Sequence, residues 1–528
     1  MIAVMRLMML LAALLIAATS SAQNDAGEVS FANSGAPDAQ QPFLHGLALL
    51  HDFEYEAAAQ SFRDAQTIDP SFAMAYWGEA MTYTHPVWFQ QDAEAARAAL
   101  ERLGATQAER LPKAATERER DYLRAIDVLY GEGTKDERDF KYAEAMRGVH
   151  ERYPEDVDAT AFYAVALLGT SHQGRDFAIY MRAAALLEEV LPAHPQHPGV
   201  LHYLIHCYDD PIHAPLGLRA ARRYGLVAPN AGHALHMTSH IFIAMGMWND
   251  VVDANRRAID VVNKQRAARS KPPGDCGHYP LWLHYAYLQE HRFDDARRAL
   301  EACRASAFAA KFESGGAMDS YEGRIESFAD MRAHQIASGG TLGPADNVVV
   351  PDGAKHASAR FLVAYGDVLA SANRSDVPAL KTAVAHLQEL QKDALESHNH
   401  AMSAMNPNAH TRYEVMVQQA VALLLAAEGK RAEAITMLQK AAAIETSMPF
   451  EFGPPVIEKP TYELLGDELL AAGRANEAVA AYRSALQRTP GRTVSVEGLA
   501  RALRMSNGTK TLSDLRIVPG PPVIAPSL

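Results

Sequence analysis

Four histidines form two pairs with the spacing of a metal site on a helix. The pairs are His202 with His206, and His236 with His240. Each pair lies 7 and 11 residues after a proline, Pro195 or Pro229, so the same offsets recur along the chain. Residues four apart share a helix face, about 5–6 Å from each other, which suits imidazole ligands of one ion. Because neighbouring helices pack about 8–10 Å apart, the two pairs are predicted to converge on one zinc, copper or iron ion.

The residues around these pairs leave three interpretations open. His233 adds a ring one helical turn before His236, and Asp209 lies in a turn after His206 where a carboxylate can orient a ligand ring. Histidines on such a face can also hydrogen-bond to a peptide partner without metal, or they can pack against neighbouring side chains with no binding role. Metal binding, a metal-free binding groove and structural packing therefore remain alternatives. The candidate binding residues are His202, His206, Asp209, His233, His236, His240 and His284.

Motifs of familiar enzyme classes are absent from the sequence. It has no Gly-rich phosphate loop ending in Lys-Ser/Thr, no Gly-x-Ser-x-Gly, no His-Glu-x-x-His and no Cys-x-x-Cys. We therefore expect a binding protein, and any catalysis would be metal-dependent and of unknown class.

The N-terminus has the composition of a secretory signal. Arg6 precedes an apolar run over 7–18, and small residues follow up to Ala22. The run is shorter than the roughly 20 apolar residues that a membrane span needs, which favours cleavage over a retained anchor. The mature chain would begin at Gln23 and be periplasmic or secreted. No later stretch is apolar enough to span a bilayer.

Charge and cysteine content limit the partners and cross-links. The formal net charge is −13, which disfavours nucleic acid as a partner. Cys207, Cys276 and Cys303 are an odd number, so at least one thiol is free or paired outside the chain. Cys207 and Cys303 are expected to be small core residues. The sequence does not determine the state of the three cysteines, the partner or the oligomeric state.

Two stretches at opposite ends of the chain share one ladder of small, aromatic and proline residues, 420 positions apart. They are Gly46, Ala58, Phe62, Ala65 and Pro70, and Gly466, Ala478, Tyr482, Ala485 and Pro490. This ladder resembles the tetratricopeptide repeat (TPR), a helix–turn–helix unit of 34 residues. Small residues let the two helices approach, the aromatic fills the space between them, and the proline ends the second helix. The resemblance implies an all-α solenoid, a right-handed superhelix whose concave face is formed mainly by first helices.

The repeat pattern also predicts the organisation of the chain. The expected parts are a signal peptide over 1–22, a TPR-like array over 41–309, an irregular helical segment with Gly-rich loops over 310–409, TPR repeats over 410–503 and an extended tail over 504–528. The Gly-rich stretch 338–344 is expected to divide the array into two lobes.

The histidine-rich segments 201–206 and 236–242 resemble a group of exported bacterial TPR proteins of unassigned activity. That resemblance supports the fold and export, and it supplies no catalytic residues. The sequence therefore predicts an exported TPR solenoid that holds a protein or peptide partner in its concave groove. The alternative is a metal-binding or metal-dependent protein.

Overall fold

The computed structural model describes residues 26–309, 321–343, 348–401 and 409–506. Within these ranges the only strands are β1 (Thr84–His85) and β2 (Gln90–Gln91), which pair antiparallel. The chain divides into two compact units. Among the described residues, the first unit comprises 26–209 and 216–238, and the second comprises 210–215 and the described residues between 239 and 506.

Consecutive helices make up the first unit. They are α1 (Gln40–His51), α2 (Tyr55–Ile68), α3 (Ala73–Met81), α4 (Ala93–Leu103), α5 (Gln107–Arg110), α6 (Glu117–Leu129), α7 (Lys135–Arg152), α8 (Val157–Leu168), α9 (Phe177–Val190), α10 (Pro198–Tyr208), most of α11 (Ala214–Val227) and the first part of α12 (Gly232–Ala244). Short 3-10 turns occur at Pro37–Ala39, Pro86–Trp88 and Leu111–Lys113.

The second unit is also helical. After the end of α12 it contains α13 (Trp248–Ala268), α14 (His278–Gln289), α15 (Phe293–Phe308), α16 (Tyr321–Ala337), α17 (Ala357–Asn373), α18 (Val377–Ala401), α19 (Ala409–Ala427), α20 (Arg431–Ser447), α21 (Thr461–Ala471), α22 (Ala475–Arg488) and α23 (Thr493–Ser506). A 3-10 turn at Ala354–His356 precedes α17. In the described part of the chain, no helix combines the length and the apolar character needed to cross a bilayer.

The predicted ladder of small and aromatic residues forms the contact between paired helices. A Cβ atom added at Gly46 of α1 would lie 3.1 Å from the Phe62 ring of α2. A Cβ added at Gly466 of α21 would lie 2.7 Å from the Tyr482 ring of α22. Each glycine therefore lets an aromatic side chain of the second helix reach the backbone of the first. This packing, repeated in both units, confirms the all-α TPR-type fold class.

Polar residues determine where several helices begin. Thr116 and Thr134 form capping boxes with Glu119 and Glu137 at the starts of α6 and α7. In a capping box, two backbone N–H groups that the helix leaves unsatisfied are bonded by side chains. At α10, the His197 side chain caps the helix and Pro198 occupies its first turn.

The start of the first unit packs against a helix that comes much later in the chain. Nδ1 of His202 in α10 lies 2.6 Å from the backbone oxygen of His51 at the end of α1. Every residue of α10 is buried, as is every residue of α8. The α10 histidines are therefore interior residues, whereas one of the three sequence-based interpretations placed them on a binding groove.

The division between units differs from the expected one. The sequence placed it at the Gly-rich stretch 338–344, but the flanking helices α16 and α17 belong to the same unit and contact each other. For example, Arg332 donates to the backbone oxygen of Val363 at 3.1 Å. The boundary instead crosses the chain just after α10, near the start of α11 and within α12. The predicted signal peptide and residues 507–528 of the predicted tail lie outside the described residues, while 504–506 end α23.

Two of the three cysteines form a disulfide. Cys276, just before α14, is bonded to Cys303 of α15, and both are buried. The expectation that Cys303 is only a small core residue was therefore wrong, because pairing depends on which helices become neighbours. Cys207 is a free, buried thiol whose pKa is raised by burial, as expected for a core position.

Candidate functional site

Three histidines of the first unit come together between α10 and α12. His202 and His206 lie on α10 and His233 lies in the first turn of α12, and one ring nitrogen of each lies within 4.8 Å of the others. The ring centroid of His202 is 4.9 Å from that of His206 and 5.1 Å from that of His233. All three side chains are buried. We call this set the histidine cluster.

The histidine cluster keeps His202 and His206 of the four predicted ligands and has His233 in place of His236 and His240. His236 belongs to the first unit and is buried, with its ring 6.2 Å from that of His233. His240 belongs to the second unit, where its ring packs 4.5 Å from Trp282. Within the first unit, the structure therefore groups the α10 pair with His233. An ion shared by both predicted pairs stays a prediction.

The last predicted binding residue, His284, lies in α14 of the second unit and is fully buried. Its Nε2 is 3.0 Å from Oε1 of Gln335. Burial lowers the pKa of His284 to about 4, against a smaller opposing effect of the Gln335 hydrogen bond. This imidazole is therefore neutral at physiological pH and donates to the amide oxygen of Gln335, as a core residue does.

Polar groups orient two rings of the histidine cluster. Nδ1 of His202 donates to the backbone oxygen of His51, and a neutral imidazole with its proton on Nδ1 carries its lone pair on Nε2. Oδ2 of Asp209 lies 3.4 Å from Nδ1 of His206. Asp209 is also ion-paired with Arg175, which donates to the backbone oxygen of His206 at 3.4 Å. Such outer contacts select the tautomer of a ligating imidazole.

An aromatic residue closes one side of the histidine cluster. The Phe53 ring centroid lies 4.3 Å from that of His202, 6.0 Å from that of His206 and 5.6 Å from that of His233. The Trp88 ring lies 5.7 Å from that of His233. These aromatic rings cover one side of the histidine cluster.

Phe53 holds this position in a strained backbone conformation. It follows α1 with φ 57°, and Glu54 donates to the oxygen of Leu49 at 2.9 Å, which completes a helix-ending turn. The same turn recurs between paired helices of the second unit, at Gly246, His291, Ser375, Gly429 and Gly473. Glycine is favoured there because a side chain in the left-handed region costs about 1–2 kcal/mol. Unlike His291 and Ser375, which are exposed, Phe53 is buried in this turn.

The turn at Phe53 also positions α12. The carboxylate of Glu54 accepts a hydrogen bond of 3.1 Å from the backbone N–H of His233, at the start of α12. Phe53 and Glu54 thus link the end of α1 to both helices that carry the histidine cluster. Sequence reasoning missed Phe53, Glu54 and Arg175, because none of them lies in a motif and each acts through a contact far away in the chain.

A separate feature of the first unit is an extended segment over 26–36. The Phe31 ring packs 5.6 Å from Phe43 of α1, 5.8 Å from Trp77 of α3 and 5.3 Å from Tyr122 of α6. The guanidinium carbon of Arg118 lies 4.0 Å from the Phe31 ring centroid. One buried aromatic side chain therefore anchors the segment on α1, α3 and α6, each of which is the first helix of a helix pair.

The backbone of the same segment is hydrogen-bonded along its length to side chains of α6 and to the loop between α9 and α10. The N–H of Glu28 donates to the backbone oxygen of Gln196 at 3.2 Å. The oxygen of Ala32 accepts from Arg118 at 2.7 Å, and the N–H of Ser34 donates to Glu119 at 2.7 Å. Main-chain bonding combined with an aromatic anchor is how proteins hold extended peptides.

A cavity of about 1150 Å³ adjoins this segment, and all of its lining belongs to the first unit. The lining mixes apolar groups with charged ones, among them Glu28, Arg118, Arg152 and Glu155. Its charged groups carry both signs, so the cavity suits a polar ligand of mixed charge. The sequence had no signal for it, since its lining comes from five separate stretches.

Comparisons with known proteins identify no family. No family model matches the chain, and no curated protein matches it. Among solved structures, the APC/C hetero-tetramer Cut9-Hcn1 is 13% identical, with 90% of this chain and 78% of that chain covered and a TM-score of 0.35. A human IFIT1 dimer with m7Gppp-AAAA is 14% identical, with 91% and 92% covered and a TM-score of 0.35. Yeast Tom70 is 10% identical, with 89% and 96% covered and a TM-score of 0.33. Likenesses this distant do not bear on function, and the TPR-type fold class rests on the helix packing itself.

Proposed function

We propose that this protein is exported and holds an extended segment of a protein or peptide partner along the first helices of the first unit. The observation that carries the proposal is the segment 26–36, which lies on those helices with Phe31 as its anchor. A surface that binds an extended segment of its own chain has the groups needed to bind one from another chain. No residue is assigned a catalytic role.

The adjoining cavity supports the same function. Its volume of about 1150 Å³ leaves room for a longer or second segment beside Phe31. Arg118 and Arg152 offer charged donors there, and Glu28 and Glu155 offer acceptors. The partner would therefore present an aromatic side chain flanked by polar or charged residues. The net charge of −13 disfavours nucleic acid in this role.

The proposal is tested with a chain that begins at Pro37 and a synthetic peptide of residues 26–36. Calorimetric titration should show binding of the peptide in trans. A matched peptide with Phe31→Ala should bind about 10- to 100-fold more weakly, because burial of a Phe side chain is worth about 1.5–3 kcal/mol. Equal affinity of the two peptides, or no binding by a shortened chain whose circular dichroism is unchanged, would contradict the proposal.

Export is supported by the signal-like composition of 1–22 and by the Cys276–Cys303 disulfide, since disulfides persist in oxidising compartments. Expression of the full chain in a Gram-negative host with fractionation and mass spectrometry tests this. The protein should be recovered outside the cytoplasm with Gln23 as its first residue. Retention of residues 1–22 on a membrane-bound product would refute cleavage.

Metal binding is the second candidate function, favoured by the mutual approach of the three histidine-cluster nitrogens. Zinc, copper and iron all accept imidazole ligands. The test is the metal content of protein purified without an affinity tag, before and after incubation with each ion and gel filtration. Retention of about one ion per chain supports the second candidate, and less than a tenth of an ion under every condition rejects it.

A further inference from the structure

We propose that His202, His206 and His233 hold one transition-metal ion through three imidazole nitrogens, and that the fourth coordination position is left to water or a small anion. This inference rests on the second candidate function, because it assigns the ligands of that ion. It differs from the sequence-based set, since His233 replaces the pair on the later part of α12.

The distances in the histidine cluster suit one ion. Imidazole nitrogens bound at about 2.0–2.1 Å in a tetrahedral site lie about 3.4 Å apart. The candidate nitrogens already lie within 4.8 Å of one another, so ring rotations and small backbone shifts suffice to bring them to an ion. A site with three protein ligands differs from a closed structural zinc site, which has four.

The outer contacts favour the tautomers that ligation requires. The hydrogen bond from Nδ1 of His202 to the backbone oxygen of His51 leaves Nε2 as the ligating nitrogen. On His206, the carboxylate of Asp209 lies beside Nδ1 and favours a proton there, so its Nε2 would also bind the ion. Arg175 holds Asp209 in place. Carboxylate and carbonyl acceptors behind ligating histidines are a regular feature of metal sites.

The position of Phe53 beside the histidine cluster agrees with the same assignment. Its ring contacts all three imidazoles. The next residue, Glu54, accepts a hydrogen bond from the backbone N–H of His233 at the start of α12. In the second unit, this turn position is glycine in three cases and the exposed residues His291 and Ser375 in two, whereas Phe53 is buried. The strained turn therefore brings α12 to α10 and shields the ion from bulk water, which strengthens the binding of a charged ligand at the open position.

Cobalt(II) tests the assignment, because its visible absorption reports coordination by nitrogen donors. Metal-stripped protein titrated with cobalt should bind one ion per chain with d–d bands in the visible range. His206→Ala and His233→Ala should each weaken binding at least 100-fold. The matched control is His85→Ala, which removes a half-buried ring stacked on Tyr55 in the same unit. Its affinity should stay within threefold of the wild type.

Several outcomes separate this inference from the candidate function on which it rests. If the protein keeps its metal while both cluster variants bind like the control, the ion lies elsewhere and the assignment fails alone. If no metal binds, both fail. Should a variant not fold, X-ray absorption of the wild-type cobalt protein decides, with three imidazoles and one water or anion ligand expected. Fewer than three imidazoles, or a fourth in place of the open position, would overturn the proposal.

Discussion

Replacing Phe53 by glycine separates backbone strain from the packing of the ring. Glycine removes the cost of about 1–2 kcal/mol for a side chain in the left-handed region. The greater freedom of glycine in the unfolded chain offsets roughly 0.5–1 kcal/mol of that gain. The turn by itself would therefore become about 0.5–1 kcal/mol more stable. The side chain, however, is only 8% exposed.

Loss of the buried ring is the larger effect. Truncating a buried Phe costs about 3–5 kcal/mol in protein cores. After the gain in the turn, Phe53→Gly is expected to lower the free energy of unfolding of the first unit by about 2–4 kcal/mol. The assay is urea unfolding followed by tryptophan fluorescence, since the Trp88 ring lies 5.5 Å from that of Phe53.

An internal control is available in the second unit. Ser375 has φ 56° in the same kind of turn and is exposed, so it has no buried ring to lose. Ser375→Gly should therefore stabilise its unit by about 0.5–1 kcal/mol. If Phe53→Gly proves as stable as the wild type while Ser375→Gly behaves as expected, the Phe53 ring contributes only about 0.5–1 kcal/mol, and our account of its packing is incorrect.

Three further predictions concern the second unit. Ala478→Phe should destabilise the C-terminal repeats by roughly 1–3 kcal/mol through overpacking of a fully buried position, and an unchanged urea midpoint would mean that the helix contact is misplaced. Folding lowers the pKa of His284 from 6.5 to about 4. The free energy of unfolding therefore has its full value above pH 6.5 and decreases by up to about 3 kcal/mol as the pH falls towards 4. Urea unfolding at pH 7 and 4.5 measures this loss, which should be absent in His284→Gln. A pH dependence equal to that of the wild type would contradict the role given to His284. Reduction of the Cys276–Cys303 disulfide, which spans 27 positions, should cost about 3–4 kcal/mol, and a melting temperature unaffected by dithiothreitol would argue against the bond.

Most of the fold could be predicted because its signals are local. The Gly46–Phe62 and Gly466–Tyr482 contacts follow from spacings within one repeat, and helix pairs form between neighbours in the chain. Long-range pairings carry no such signal. Buried Arg492 pairs with Glu463 at 2.8 Å and bonds Tyr285, 207 positions away, and nothing in the local sequence distinguishes these residues from exposed ones.

The candidate site shows the same limit. The sequence by itself determined that His202 and His206 share a helix face, since their spacing of four is set by the helix repeat. Residues three apart, such as His233 and His236, differ by about 60° around a helix, so only the rotation of α12 decides which one faces α10. That rotation depends on the Glu54 cap and on the packing of Phe53. Both belong to a turn some 180 residues earlier in the chain, and only the tertiary structure brings that turn to α12.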